Sequence, residues 1–522
     1  METSRPRWPL FPSSPKRRAL WMTTAAVLVT ATTLRACELD HHLPYLPVPG
    51  EAKSLRVTLR MLLTADPNPR FFHYPSLPFY AWATTAWAWA VTLGGSLDSL
   101  AELGTVRRLA LGVARAEEPS LVLVLRLWSL ALGVGAVAVT IRTGWMLFPN
   151  RLAGLLAGAL LALSPLHAVA SVVVRHEVWL VFFVALSMYF SARVYQEDRV
   201  RDSVLAGLCA GLAVSCKYNG WIALTPLAMA HLLRGGSRRL GNRAVGLGLL
   251  AAAAAFLLTS PFVLLDFPNF QADLAYELNH YASDHVGRDH RGASWYLATL
   301  LRKEFVATGL AAVALVLGLV ERRRAVALVA VLPLACLVNI MPFPVRVERL
   351  LLPMLPALCL LAGFAGVGLG RTIVRTLHRG ELWVLGLALA SLAVTGLASR
   401  EALQELSQPD ARDIAREWIA EEVPAGSRIA LESYGPYVDD RVYKVKTIDA
   451  GRGFSALWVQ GPAWYRQKRF DYLVLSSGMS GRYLSGSGDP QARDRYRVLT
   501  EAFPLVKSFE LGGQSVWIHR VQ

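Results

Sequence analysis

Two glutamates stand where an enzyme working at a membrane surface would need carboxylates. Glu51 ends the segment 43–51 (LPYLPVPGE), shortly after the first apolar run, and Glu177 opens a later apolar run within the segment 175–183 (RHEVWLVFF). Ionisable groups at span ends are costly unless they serve a function. A carboxylate there can take a proton from a nucleophile as a general base. For each acid alone a solvated loop glutamate is the alternative, but two acids at span ends favour chemistry.

Cations form the second set of candidate residues. Arg346 and Arg349 lie in the segment 342–353 (PFPVRVERLLLP), and Lys217 lies at a break between two apolar runs. Arginine pairs bind phosphate oxygens in a forked geometry. These residues therefore predict a phosphate site, and the alternative for the two arginines is an ion pair with Glu348.

Histidines and cysteines give a weaker signal. His280, His285 and His290 alternate with Asp284 and Asp289, but a spacing of five does not stack ligands on one helix face. The five cysteines are scattered through the apolar part with no CxxC spacing, which implies neither a disulfide framework nor a zinc site. A metal is conceivable in the histidine loop, but surface histidines are the commoner case. We predict no metal and no cofactor.

The elements that position these residues are membrane spans. Of the 522 residues 54% are hydrophobic and only 18% are charged, which excludes general disorder and a single soluble domain. The formal net charge is +16, but the 16 basic and 15 acidic residues of 405–522 leave that segment at +1. The excess basic charge lies between the apolar runs, as it does in cytoplasmic membrane loops, so no nucleic-acid partner is predicted.

Span positions and orientation follow from apolar runs and arginine clusters. Runs of membrane length or near it begin near residues 19, 121, 152, 177, 203, 221, 244, 297, 325, 350 and 381, which predicts about eleven spans within 19–400. Basic residues precede the first run, so residues 1–18 are predicted to be a cytoplasmic tail, and a cleaved signal peptide is the alternative. With that orientation, the arginine clusters between the later apolar runs lie on the cytoplasmic side only if residues 203–233 form two short spans with a break at 217–220.

The run 77–94 is ambiguous. It is rich in tryptophan, which favours the membrane interface, and counting it as a span would reverse every later loop. We predict an interfacial helix within a first outer loop, residues 38–120. An ordinary span is the alternative.

The C-terminal part, residues 405–522, is predicted to be a small extracytoplasmic α/β domain. Residues 410–422 have the pattern of an amphipathic helix, and 427–433, 470–476, 505–511 and 515–521 are short strand candidates. This domain contains neither a glycine-rich phosphate loop nor a nucleophile elbow. The chemistry is therefore expected at the membrane part.

Several segments together resemble a known family. They are 39–46 (LDHHLPYL) through Pro49-Gly50-Glu51, 68–77 (NPRFFHYPSL), 164–167 (SPLH), 217–219 (KYN) and 349–356 (RLLLPMLP). In order and topology, over most of residues 20–370, the sequence resembles the GT-C superfamily of membrane glycosyltransferases. Within it the sequence is most similar to glycosyltransferase family 39, which includes protein O-mannosyltransferases and lipid A aminoarabinose transferases.

The resemblance implies a fold, a reaction and a place. It implies a polytopic helical membrane protein of the bacterial cytoplasmic (inner) membrane, with a small domain outside. Such enzymes take a sugar from a polyprenyl-phosphate donor without a bound metal and transfer it outside the membrane. The partners implied are that donor, an acceptor of unknown kind and membrane lipid.

The resemblance also assigns roles to residues. The family carries an Asp-Glu pair in the first outer loop, which here is Gly50-Glu51, so its first carboxylate is missing. We expect Glu51 to take the role of base and Glu177 to orient the sugar or the acceptor. Arg346 and Arg349, with Lys217, would hold the phosphate, while His73 and Tyr74 would shape the sugar pocket.

Two other functions remain open at this stage. Gly50 favours a non-catalytic relative that binds a lipid-linked sugar or a partner. The number of spans also allows a secondary transporter, although no inverted repeat is evident and the charges lie at span ends rather than at the midplane.

Overall fold

The molecule consists of an apolar helical part followed by a small α/β domain, as the sequence predicts. The structure is a computed structural model that describes residues 15–92, 113–282, 292, 294–451, 454–484 and 489–522. His285, His290, Asp284 and Asp289 lie outside the described residues. A long helix, Gly380–Ser407, leads from the helical part into the α/β domain, whose first helix is Ala411–Glu422. The boundary between the two parts thus falls at 408–410, slightly after the predicted residue 405.

Several helices of the membrane part begin where the sequence has proline or an amide or hydroxyl cap. Proline occupies the first turn of the helices that begin at 49, 119 and 165, where its missing N–H costs nothing. The described helices of the membrane part are Pro15–Ala36, Pro49–Leu63, Leu77–Thr92, Pro119–Leu147, Arg151–Ala162, Pro165–Ala170, His176–Glu197, Val200–Val214, Thr225–Gly235, Arg243–Thr259, Phe262–Leu265, Phe267–Ala282, Ser294–Lys303, Phe305–Val320, Arg324–Ile340, Leu355–Thr376 and Gly380–Ser407. The same part contains 3-10 turns at Tyr218–Leu224, Ser237–Gly241 and Glu348–Met354.

The described helices include several that can cross a membrane. By length and composition five qualify: Arg18–Ala36, Pro119–Leu147, His176–Glu197, Glu348–Thr376 and Gly380–Glu422. A sixth results if Ser294–Lys303 and Phe305–Val320, which meet at a 115° bend, form one broken span. Shorter apolar helices cover 151–162, 243–259 and 324–340. The chain is a multi-pass membrane protein, and the number eleven stays a prediction.

The helix pair around residues 200–260 packs through small side chains. A Cβ added at Gly207 would collide with the Gly248 carbonyl, and one at Gly211 would collide with the Ala252 carbonyl. Small residues allow such close approach between apolar helices. After the first helix of this pair, Val200–Val214, the chain breaks at 215–217 and continues as the 3-10 turn Tyr218–Leu224, at the place where the sequence predicts a break.

The helix Leu77–Thr92 covers most of the predicted interfacial segment. Its side chains Phe79, Trp82 and Trp89 are buried against the bundle, while Trp87 is half exposed. Residues 93 and 94 lie outside the described part of the chain. Whether this helix lies at the interface or crosses the membrane stays a prediction.

A five-stranded mixed sheet forms the core of the C-terminal domain. Its strands are β3 Arg428–Leu431, β4 Lys444–Lys446, β5 Tyr472–Ser476, β6 Leu505–Leu511 and β7 Gln514–Arg520, in the sheet order β4-β3-β5-β7-β6. Two earlier strands, β1 (Tyr45–Leu46) and β2 (Ala114–Arg115), pair with each other in the first loop. The four predicted strands match β3, β5, β6 and β7. The turn between β6 and β7 places Gly512 and Gly513 at positive φ, which glycine adopts without strain.

Candidate active site

Glu51 lies in a fully buried ion pair. Its Oε1 accepts from Arg126 Nε and its Oε2 from Arg126 Nη2, both at 2.8 Å. The backbone N–H of Val174 also donates to Oε1, at 2.9 Å. The bidentate contact with Arg126 joins the first-loop helix Pro49–Leu63 to the membrane helix Pro119–Leu147. The contact with Val174 joins the same helix to the segment before Glu177.

The surroundings of Glu51 do not suit the role of base predicted for it. Burial raises the pKa of Glu51, but the Arg126 guanidinium outweighs it and holds that pKa below its usual range. Neighbouring His41 has its pKa lowered to about 4, by burial and then by the charge of Arg126. Glu51 is a weak, enclosed acceptor whose two oxygens are already occupied. A nucleophile would have to displace Arg126 to reach it.

The residue before Glu51 creates room for a second arginine. A Cβ built on Gly50 would lie 2.9 Å from Nε and 3.0 Å from Nη2 of Arg175. The Arg175 guanidinium therefore packs against the Gly50 backbone, at the position where the resemblance led us to expect a carboxylate. Arg175 Nε is also 3.7 Å from Glu177 Oε2.

Glu177 lies at the centre of a cluster of cations. Its Oε1 is 3.3 Å from Lys217 Nζ and 3.7 Å from Arg349 Nε, and Arg175 approaches its other oxygen. The Glu177 side chain is only 4% exposed. One buried carboxylate thus holds three cations from three separate segments of the chain. We call these four residues the Glu177 cluster.

Arg346 lies close by but is held differently from Arg349. Its guanidinium donates to the carbonyls of Ile340 and Met341, at 3.1 and 2.8 Å, and lies over the Tyr296 ring. The ion pair with Glu348 considered from the sequence does not form. Glu348 instead pairs with Lys303, at 2.7 Å.

A cavity of about 440 Å³ brings most of these groups together. Its charged lining consists of Arg175, Lys303, Arg346 and Arg349 against Glu177 and Glu348, a surplus of two positive charges. The rest of the wall is apolar. It comes from the helix that begins at Pro165, from the end of helix Gly380–Ser407, and from Val48, Val173, Trp295, Val347 and Leu352. The cavity can therefore accept an anionic head group attached to an apolar chain.

His73 and Tyr74 contact different neighbours. His73 Nδ1 is 2.6 Å from Glu277 Oε1, which ties the first loop to the helix Phe267–Ala282. The Tyr74 ring stacks on His176 at 4.6 Å, and Lys217 Nζ is 6.0 Å from the centre of that ring. Tyr74 therefore borders the Glu177 cluster. His73 is bound to the Glu277 carboxylate and does not line the cavity.

The C-terminal domain packs directly on the first loop. Arg412 Nη1 donates to the Pro47 carbonyl at 3.2 Å, and the Arg416 guanidinium lies 3.9 Å from the centre of the Tyr45 ring. Just before the domain, at the end of helix Gly380–Ser407, the Leu406 carbonyl lies 2.8 Å from His42 Nε2. The domain thus holds the segment that leads to Gly50 and Glu51.

Two functional candidates escaped the sequence analysis. Arg126 lies in the interior of an apolar run, and Arg175 stands two residues before Glu177. The signal for Arg126 was present, because an arginine within a membrane helix calls for a partner. Nothing in the sequence pairs Gly50 with Arg175, since only the fold brings them together. Among the described residues no group of three or more metal-binding side chains forms.

Comparisons with known proteins agree with this architecture. Residues 118–264 match the family model described as dolichyl-phosphate-mannose-protein mannosyltransferase. The fold is similar to that of ArnT from Cupriavidus metallidurans bound to undecaprenyl phosphate, with 14% identity, 97% of this chain and 98% of that chain covered, and a TM-score of 0.56. It is also similar to the Archaeoglobus fulgidus oligosaccharyltransferase tethered with an acceptor peptide. The identity is 12%, 91% of this chain and 72% of that chain are covered, and the TM-score is 0.54. No curated protein matches the chain.

Proposed function

We propose that this membrane protein, whose fold is that of the GT-C glycosyltransferases, transfers a sugar from a polyprenyl-phosphate donor to an acceptor outside the cytoplasmic membrane. The observation that carries the proposal is the cationic cavity beside the Glu177 cluster. A donor of this kind combines a phosphate, which the cations attract, with an apolar chain, which the apolar wall of the cavity can hold.

The cations supply what the reaction needs at the leaving group. When the bond from the sugar's anomeric carbon to the phosphate oxygen breaks, that oxygen gains negative charge. Preorganised cations aimed at developing charge lower the barrier, and removing one such donor typically costs ~10²–10³-fold in rate. Arg349 and Lys217 are proposed to contact the phosphate, because Arg349 lines the cavity and Lys217 lies 3.3 Å from the same Glu177 oxygen that Arg349 approaches.

Glu177 is proposed to hold these cations in place. Three like charges around one point repel each other, and a single buried carboxylate offsets that repulsion while leaving a net positive charge. Arg346 is proposed to contribute a fixed charge to the cavity wall, since carbonyls already occupy part of its guanidinium. Tyr74, which borders Lys217, is proposed to shape the sugar pocket.

Glu51 is proposed to be a positioning residue rather than the base. Its contact with Arg126 fixes the start of helix Pro49–Leu63, and its contact with Val174 fixes the approach to Arg175. His73 is proposed to support the same loop through Glu277. Both act on the site through other residues.

A second candidate function is favoured by Gly50. A protein that kept the cationic cavity but lacks the first-loop carboxylate would bind a lipid-linked sugar without transferring it. Restoring the carboxylate with Gly50→Asp separates the two, because a binding protein would gain transfer activity only in that variant.

Turnover of the donor tests the proposal. The full chain in lipid nanodiscs would be offered a panel of polyprenyl-phosphate sugars with envelope acceptors, and free polyprenyl phosphate would be measured. We expect release by the wild type and a loss of ~10²-fold or more in Lys217→Gln. A matched control is Arg302→Gln, which removes a cation that is 69% exposed and does not line the cavity. No release from any donor by the wild type would contradict the proposal, as would equal activity in Lys217→Gln.

A further inference from the structure

A buried glutamate that the proposed reaction does not use lies at the bend of a broken helix. Helix Ser294–Lys303 meets helix Phe305–Val320 at an angle of 115°, and Glu304 is the residue between them. Its side chain is buried. A buried ionisable group in an apolar helical protein is costly unless it serves a function. The position of Glu304 therefore indicates that it holds the elements around it.

Glu304 binds the start of another helix rather than a cation. Its Oε1 accepts from Ser164 Oγ at 2.6 Å and from the backbone N–H of Leu166 at 3.1 Å. The first N–H groups of a helix have no partner within the helix, so this oxygen satisfies one of them. Glu304 makes no ion pair within the described part of the chain, unlike Glu51. It thus anchors the N-terminus of helix Pro165–Ala170 through two hydrogen bonds.

This anchor joins two sides of the cavity. The helix that Glu304 anchors supplies four apolar side chains to the cavity wall: Pro165, Leu166, Val169 and Ala170. The helix that ends just before Glu304 supplies Trp295 and Lys303. Because Glu304 follows one of these elements directly and holds the start of the other, it fixes the position of the apolar wall against the rest of the cavity.

From this arrangement, and resting on the proposed function, we infer that Glu304 is a positioning residue for the prenyl chain of the donor. It acts through helix Pro165–Ala170, whose apolar side chains contact that chain. Apolar binding grows with the area of contact, so a displaced wall weakens the hold on the chain. The phosphate is held separately, by cations that Glu177 keeps in place. The effect of losing the anchor should therefore depend on the length of the prenyl chain.

Donors that differ only in prenyl length test this inference. The full chain in nanodiscs would be given a long-chain and a short-chain form of a polyprenyl-phosphate sugar that it consumes. Glu304→Met keeps the length of the side chain but removes both acceptor oxygens. It should raise the KM for the long-chain donor about fourfold or more, which corresponds to the burial of about one methylene group. The KM for the short-chain donor and both kcat values should change by less than about twofold, because the chemistry is not touched.

Glu304→Gln is the conservative variant. It keeps one carbonyl oxygen that can accept from Ser164 and Leu166, so the KM for the long-chain donor should stay within about twofold of the wild-type value. A rise in Glu304→Gln as large as that in Glu304→Met would contradict the role of the acceptor oxygen.

Ser164→Ala tests the same contact from the other side. It removes the hydroxyl that donates to Glu304 and leaves the hydrogen bond from Leu166, so the KM for the long-chain donor should rise by a smaller factor. In the double variant the KM should rise by less than the product of the two single changes, because both substitutions break one contact. If Glu304→Met does not fold, the KM in Ser164→Ala decides.

A control variant and the possible failures separate the explanations. Gly207→Ala disturbs the packing against the Gly248 carbonyl and does not line the cavity, so it should lower stability and leave the KM values for both donors unchanged. An unchanged KM for the long-chain donor in Glu304→Met would overturn the inference and leave the proposed function standing. A rise of equal size for both donors would overturn it as well. Absence of donor consumption by the wild type with either chain length would contradict the proposed function and the inference with it.

Discussion

Removing either partner of the Glu51–Arg126 pair should lower the free energy of unfolding, and the loss should be larger when Arg126 is removed than when Glu51 is removed. Both side chains are essentially inaccessible, so neither charge can be solvated after its partner is lost. Breaking a buried ion pair by removing one partner costs ~3–5 kcal/mol.

The remaining contacts decide where each variant falls in that range. In Glu51→Gln the guanidinium of Arg126 keeps two carbonyl acceptors, Leu39 at 2.7 Å and His41 at 3.1 Å, so we expect a loss of about 3 kcal/mol. In Arg126→Gln the Glu51 carboxylate keeps, among the described residues, only the hydrogen bond from the Val174 N–H. We therefore expect the free energy of unfolding to fall by about 5 kcal/mol. The double variant should lose about 2–3 kcal/mol less than the sum of the single losses, because no unpaired charge is left buried.

The free energy of unfolding can be measured by SDS titration in mixed micelles, followed by tryptophan fluorescence. Glu321→Gln is a matched control, because Glu321 is 44% exposed and its pair with Arg323 is a surface contact worth ~0–1 kcal/mol. The positioning role is refuted if Glu51→Gln unfolds at the wild-type free energy while donor turnover is abolished. That combination would identify Glu51 as a base in spite of its enclosure.

Three further predictions concern other parts of the molecule. Gly207→Ala should destabilise the fold by ~1–3 kcal/mol, since its Cβ would meet a facing backbone carbonyl, whereas Gly246→Ala, which adds a Cβ into open space, should leave unfolding unchanged. Arg349→Gln should weaken binding of free polyprenyl phosphate about tenfold or more in a titration, as expected for ~1.5–3 kcal/mol from a charged hydrogen bond, and Arg302→Gln should not. Burial raises the pKa of Glu432 to about 7, so the folded domain binds that proton more tightly than the unfolded chain does. The free energy of opening of β3 can be measured by hydrogen exchange corrected for intrinsic rates. It should be greatest below about pH 4 and should fall by about 3 kcal/mol as the pH rises to about 7. Protection that rises over this range would contradict the assignment.

The sequence specified the broad architecture because its signals are local. Apolar runs, the arginines between them and the alternating patterns of the last hundred residues each predict an element without knowledge of its neighbours. Strand β4 (Lys444–Lys446) was missed for the same reason, because a short strand of KVK at a sheet edge has too little pattern to be recognised. The helix Pro490–Ala502 was missed as well, since arginines and other polar residues obscure its apolar face.

The site was predictable only in part, because its geometry depends on contacts between distant segments. The resemblance drew attention to Glu177, Lys217 and Arg349, and the structure brings these three together. It also suggested Glu51 as base, but a sequence motif does not reveal that Arg126, 75 positions away, encloses that carboxylate. The packing of Arg175 on Gly50 is likewise invisible until the fold is known.

The central claim is that the phosphate of a lipid-linked donor binds at the Glu177 cluster. The most direct test is a cryo-EM structure of the full chain in nanodiscs containing undecaprenyl phosphate. The account predicts the phosphate within hydrogen-bonding distance of Arg349 or Lys217, with the prenyl chain leaving along the apolar wall. A phosphate bound instead at the arginine-rich loops near residues 234–243 or 371–379, with the cavity empty, would contradict it.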